Sequence, residues 1–150
     1  YADPKVATGV LVSRPRDSTR EAPDNSTSRP QPDDLELLLV RRNHEPALGR
    51  WAFPSGYVDA GEVVETAAVR EVFEETGVTI ALDRLVGVYS EAGNMVVFVA
   101  YAGHLVSGEA VAGDEAFEVG WFGPDALPEL AFPHDDQIVA EWRAMFDAVP

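Results

Sequence analysis

Three glutamates, Glu71, Glu74 and Glu75, are spaced so that a helix would carry them on one face. Carboxylates crowded in this way cost free energy without a counter-ion. A hard divalent cation such as Mg2+ takes oxygen ligands and bridges protein carboxylates to substrate phosphates. The three are therefore candidate metal ligands. Ala67 lies one turn earlier on that face and is small enough to leave room for a metal or a substrate. Ala68 and Val72 turn to other faces, where they can pack on a sheet while the glutamates point away. Arg70 is roughly 100° around the helix from Glu71, so it is expected to bond a loop carbonyl or another carboxylate instead. Glu62, at the helix start, suits the positive end of the dipole and is its expected partner. Gly56 can bring a backbone carbonyl close to a metal, and Gly61 suits a turn. Alone, a Glu-Glu pair on a helix is an ordinary solvated surface. The glycines, the arginine and the small residue in the same stretch favour a site.

Stepping outward along the chain, Val6 to Val12 is β-rich and short, and is expected to be a strand. Residues 13–34 have almost no apolar side chains, so a mobile loop inserted in a hairpin is expected there. The other reading is a lid whose Arg14, Arg16, Arg20 and Arg29 reach phosphates. Leu35 to Val40 reads as a buried strand and residues 43–51 as a loop. A helix is expected from about Val63 to Thr76, stopped by Gly77. Further strands are expected at Leu85 to Tyr89, Met95 to Val106 and Glu118 to Phe122. Ile138, Val139, Trp142, Met145 and Phe146 recur at helical spacing in a closing helix from Asp135 to Phe146. This order of elements fits an α/β sandwich in one domain spanning 1–150. No Gly-x-Gly-x-x-Gly follows a strand, which argues against a parallel dinucleotide-binding sheet.

The 150 residues suffice for one proper core, and 46% of them are apolar. No apolar run is long enough for a membrane helix, and no signal-like segment precedes the first strand. The chain begins abruptly at Tyr1, so an earlier segment stays open. The lack of cysteine removes disulfides, thiolate zinc sites and cysteine nucleophiles, and fits the cytoplasm. The formal charge of −15 repels nucleic acid polymers and anionic membranes. It admits a small phosphorylated partner only together with cations.

Gly56, Glu62, Arg70, Glu71, Val72, Glu74, Glu75, Gly77 and Val78 meet every fixed position of a known pattern. That pattern is Gly-x5-Glu-x7-Arg-Glu-U-x-Glu-Glu-x-Gly-U, with U bulky and apolar, and the segment resembles the Nudix hydrolase signature. The lead-in Trp51-x-Phe53-Pro54-x-Gly56-x-Val58 and the later Glu118-x-x-Trp121-Phe122 are also similar to that family. Ser55 departs from it, since glycine is more common there, and little consequence is expected. The resemblance implies an α/β/α sandwich with a mixed sheet. It implies Mg2+- or Mn2+-dependent water attack on the diphosphate of a nucleoside diphosphate linked to another group. It further implies that Glu71, Glu74, Glu75 and the Gly56 carbonyl hold metal, while Arg70 and Glu62 support the loop and helix. The general base is a helix glutamate in some members and a later loop glutamate in others. Glu115 is a candidate base or extra ligand, set against an ordinary acidic turn.

Candidates for holding the base and phosphates are Trp51, Arg50, Tyr89 and His134, with Phe98, Phe132, Arg41 and Arg42 beside them. Trp51 and Phe98 also suit a core, His134 a helix cap, and the arginines surface ion pairs. Tyr1-x-x-Pro4 and Leu130-Ala131-Phe132-Pro133-His134 are similar to the ADP-ribose/NADH pyrophosphatase-like branch, in part of which a zinc ribbon precedes the first segment. No cysteine is present here, so that ribbon is expected to be absent or to have been cut away. ADP-ribose is the first expected substrate class and dinucleotides the next. A nucleoside triphosphate pyrophosphatase and a catalytically silent nucleotide sensor are the rival readings. Family members often dimerise, so a homodimer is an expected assembly, although no exposed apolar stripe marks it.

Overall fold

The computed structural model describes residues 3–16 and 30–147. Seven strands form one mixed sheet. They are β1 (Lys5–Pro15), β2 (Leu35–Arg42), β3 (Trp51–Ala52), β4 (Ser55–Tyr57), β5 (Thr79–Tyr89), β6 (Val96–Ser107) and β7 (Ala116–Phe122). The main order is β3-β2-β1-β6-β5, with β4 paired to β1 and β7 to β2. β1 runs parallel to β6, and the other pairs are antiparallel.

Side chains alternate between the two faces of a strand, and here both faces are apolar. Val10 and Val12 of β1 and Leu38 of β2 face helix α1 (Val64–Thr76), against Ala68 and Val72. Leu11, Leu37 and Leu39 face the other way, toward Ile138, Val139 and Trp142 of α2 (Asp135–Ala144). The result is helix, sheet, helix. The central strands therefore read as continuous apolar runs, as a sheet covered on both sides requires.

Several boundaries differ from expectation. β1 continues through Ser13, Arg14 and Pro15, where a loop was expected. Arg14 pairs with Glu36 across the ladder at 2.6 Å and lies over the Trp121 ring, so a polar residue is held in a strand. That engagement also occupies one of the lid arginines. Pro32–Asp34 form a single 3-10 turn. The rest of the expected insertion, residues 17–29 with Arg20, lies outside the described residues, as does Arg29. β5 begins at Thr79, six residues before the expected strand, because Gly77 turns the chain and Val78 and Ile80 pack under α1. α2 ends at Ala144, and Phe146 stacks on Trp142 beyond it.

β4 and α1 position the acidic stretch. α1 starts after a turn in which the Glu62 amide donates to the Asp59 carbonyl, with Gly61 at φ +83°. It ends at Gly77, in the left-handed region at φ 78°, whose amide donates to the Phe73 carbonyl.

A candidate active site on helix α1

Antiparallel pairing with β1 sets β4 beside α1, with Thr8 opposite Gly56. The Glu71 carboxylate lies directly over Gly56. A Cβ at that position would stand 2.2 Å from Glu71 Cδ and Oε2, so the carboxylate fills the space a side chain would need. One turn on, Glu75 Oε1 accepts a 3.0 Å bond from the Ser55 amide. Ser55 contributes its backbone N–H here, which glycine would supply equally. That is the physical basis for the small consequence expected of this departure.

Arg70 organises the helix start. Its Nε and Nη2 grip Glu62 at 2.8 and 2.9 Å, and Nη2 donates to the Tyr57 carbonyl at 3.2 Å. Contrary to expectation, Nη1 also bonds Glu71 at 2.9 Å. It reaches Glu74 Oε1 at 2.9 Å as well. A guanidinium carries five donors on a long stem, and this reach outweighs the angular offset of neighbouring positions. Glu71 and Glu74 thus meet on the Arg70 guanidinium, while Glu75 turns to the Ser55 amide instead of converging with them. Among the described residues, no three His, Cys, Asp or Glu side chains stand at metal-holding spacing. Ala67 is fully buried, so it packs inside the protein and leaves no open room.

A cleft of about 710 Å³ runs from this point across the sheet. Gly56, Glu71, Glu75 and Glu115 line one part of it, and Tyr89, Phe132 and His134 another. The Tyr89 and His134 rings stand 5.8 Å apart. Arg42, also lining the cleft, lies over the Phe132 ring and donates from Nε to the Pro46 carbonyl at 2.7 Å. Glu115 sits on a loop tied to both sides. The Gly113 amide donates to the Glu75 carbonyl, and Asn43 Nδ2 donates to the Asp114 carbonyl at 2.9 Å.

Two sequence candidates lie elsewhere. Trp51 does not line the cleft; it packs edge-on against Phe122 at 4.9 Å. Arg50 is also off the lining and pairs with Glu129 at 3.3 Å. Arg41 donates to the Gly49 carbonyl and covers Phe117. Sequence spacing alone could not separate Arg42 from these neighbours. Alternation along β2 puts Arg41 and Arg42 on opposite faces, and the pairing of β2 decides which face meets the cleft.

The electrostatics follow from burial. Desolvation pushes the Glu75 carboxyl up to about 7 against the pull of the Ser55 amide, and the charges of Glu71 and Glu115 add to it. Glu71 is also raised, mainly by burial, with Arg70 opposing. In contrast, Glu62 is held down at about 2 by its bonds to Arg70 and the Asp59 amide. The site thus contains an Arg70 hub shared by Glu62, Glu71 and Glu74, beside Glu75, which has no ion-pair partner among the described residues. That donor set fits a hard divalent cation. Glu71, Glu75 and Glu115 would offer oxygen ligands from the cleft wall, and Glu74 could join them by leaving Arg70.

Comparison with known proteins agrees with this architecture. The NUDIX domain model matches residues 29–142. An "ADP-ribose pyrophosphatase" of Methanocaldococcus jannaschii is 40% identical over 68% of this chain, and the match spans 63% of that relative. A "Putative 8-oxo-dGTP diphosphatase" of Bacillus subtilis is 35% identical over 74% of the chain and 73% of its own length. A MutT NUDIX hydrolase structure from Burkholderia pseudomallei superposes with a TM-score of 0.69 at 29% identity, covering 93% of this chain and 98% of the other. On the family model and these likenesses in sequence and fold, the chain belongs to the Nudix domain family.

Proposed function

We propose that this protein hydrolyses the diphosphate of a nucleoside diphosphate linked to another group, with ADP-ribose-type substrates first, and uses Mg2+ or Mn2+. The observation that carries this reading is the single cleft that joins the Glu71, Glu75 and Gly56 corner to the aromatic Tyr89, Phe132 and His134 side. Its volume falls within the usual range for small-molecule sites, about 300–1,000 Å³. A bound divalent cation would neutralise the diphosphate and acidify the attacking water.

The chain's own groups have separable tasks. Glu71 and Glu75 would hold the cation, with the Gly56 carbonyl beside them and Glu74 joining once it leaves Arg70. Arg70 and Glu62 fix the helix start against β4, so these ligands keep their places. Glu115, on its tied loop, takes the proton from water as a new P–O bond forms and the anhydride P–O bond breaks; its place on the cleft wall supports this role. The products are a nucleoside monophosphate and the phosphorylated remainder. Arg42 offers the diphosphate a fixed positive charge. Among the described residues it has no carboxylate within ion-pair distance, although Glu71, Glu75, Glu91 and Glu115 share its cleft.

The relative named as an 8-oxo-dGTP diphosphatase supports a second reading, a nucleoside triphosphate pyrophosphatase. Turnover of a panel of nucleotide sugars, dinucleotides and triphosphates, with Mg2+ and with EDTA, separates the two. AMP from ADP-ribose favours the first reading, pyrophosphate from a triphosphate favours the second, and binding without turnover favours a sensor. Residence in the cytoplasm and homodimer assembly remain part of the proposal.

A further inference from the structure

Tyr89 closes β5 and lines the cleft, yet its hydroxyl is spent outside it. The hydroxyl donates to Glu141 on α2, a residue that does not line the cleft. Burial first, and then the hydrogen bond to Glu141 and its charge, push the phenol well above its ordinary pKa, so it stays a donor through neutral pH. Two residues earlier on the same face of β5 is Gly87. A Cβ there would stand 2.6 Å from Tyr89 Oη and 2.9 Å from Cζ, so the ring lies along the strand in space that only glycine leaves open. Tyr89 is 6% exposed as a residue, and its ring stands beside His134. A phenylalanine would fill an apolar core equally well. The tethered hydroxyl and the missing side chain together fix the ring's orientation, which plain packing does not require.

We infer that Glu141 and Gly87 are positioning residues that hold Tyr89 as a rigid aromatic wall for the heterocyclic base of the nucleotide. The identity of the ligand rests on the hydrolase reading above. A wall already fixed spares the ordering cost of binding, and aromatic rings present large area at low entropy. Glu141 acts through Tyr89 and reaches no reacting atom. Its removal should therefore weaken binding and leave the chemical step alone.

The test compares Glu141→Ala, Glu141→Gln, Gly87→Ala, Tyr89→Phe and the Glu141→Ala/Tyr89→Phe double variant. Two quantities are read: KM against kcat on the best substrate, and the Kd of AMP and GMP by titration calorimetry in EDTA, which needs no metal-loaded turnover. Loss of one hydrogen bond should raise KM and Kd about fivefold in Glu141→Ala and in Tyr89→Phe, with kcat within about twofold. The double variant should be no worse than either single one. Glu141→Gln, which keeps an acceptor, should recover most of the affinity, and Gly87→Ala should lose at least as much as Glu141→Ala. Additive losses in the double variant would overturn the inference. So would a fall in melting temperature with KM and Kd unchanged, or a wild-type protein that binds neither monophosphate. If wild type binds AMP with the expected variant pattern but hydrolyses nothing, the positioning role stands and the hydrolase reading falls.

Discussion

In the proposed hydrolysis Glu75 is the residue on which the chemistry concentrates, because it is half-buried, lines the cleft and has no ion-pair partner among the described residues. Glu75→Gln keeps the size of the side chain and an oxygen for the Ser55 amide. Turnover is expected to fall by about 100-fold or more, with the melting temperature changed by only a few degrees, since preorganised charge at a reacting centre is worth about that much. Near wild-type rates would remove Glu75 from the metal set. Gly56→Ala tests the same corner from the opposite wall. Its Cβ would displace the Glu71 carboxylate, so activity should drop about as far while circular dichroism stays native. The acidic stretch could be read from the sequence because helical spacing converts position into geometry. Arg42 and Trp51 could not be resolved that way. Arg41, Arg42 and Arg50 are alike in type, and only the pairing of β2 and the Arg50–Glu129 contact separate them. Glu74 was legible as a member of the helix face, but its capture by Arg70 depends on where a long flexible side chain comes to rest.

At the scale of elements, α1 is fastened at its start by Arg70 and Glu62. The folded Glu62 carboxyl sits near 2, below its ordinary 4.5, chiefly because of the Arg70 hydrogen bonds. Its stabilisation is therefore complete above pH 4.5 and lost as pH falls through about 2. Melting temperature should drop more steeply across that window in wild type than in Glu62→Gln. Parallel curves would show that the pair adds nothing to stability. Asp135, at the start of α2, runs the opposite way. Burial raises it to about 6, against the pull of the Phe132 amide, with Asp136 adding to the rise and His134 opposing it. The benefit of keeping it neutral is full below its ordinary 3.8 and disappears as pH rises through about 6. Asparagine can still accept the Phe132 amide. Asp135→Asn should then melt at or above wild type at pH 7.5 and level with it near pH 4. A variant several degrees less stable at pH 7.5 would contradict this. Long periodic elements such as α1 and α2 were legible in the sequence. β3 and β4 were not, because two or three residues leave no period to read, and they exist through pairing with β2 and β1.

Across the whole molecule, strong acidity opposes the anionic substrate proposed above. With a net charge of −15, self-repulsion opposes compactness and a diphosphate's approach alike. The two covered faces of the sheet explain how the fold tolerates this charge: its apolar runs are spent inside, and the carboxylates gather at the surface and along one cleft. The sandwich was legible from the succession of strands and helices along the chain and from the family resemblance. The order of the strands was not, since the parallel pairing of β1 with β6 joins segments far apart in sequence. This cleft is proposed to combine carboxylate-held metal with a nucleotide diphosphate. The most direct test is the product of ADP-ribose incubated with the protein in Mg2+ and in EDTA. AMP and ribose phosphate should appear with Mg2+ and disappear with EDTA. Equal rates in both, or no cleavage of any diphosphate-linked nucleotide in Mg2+ or Mn2+, would contradict the account.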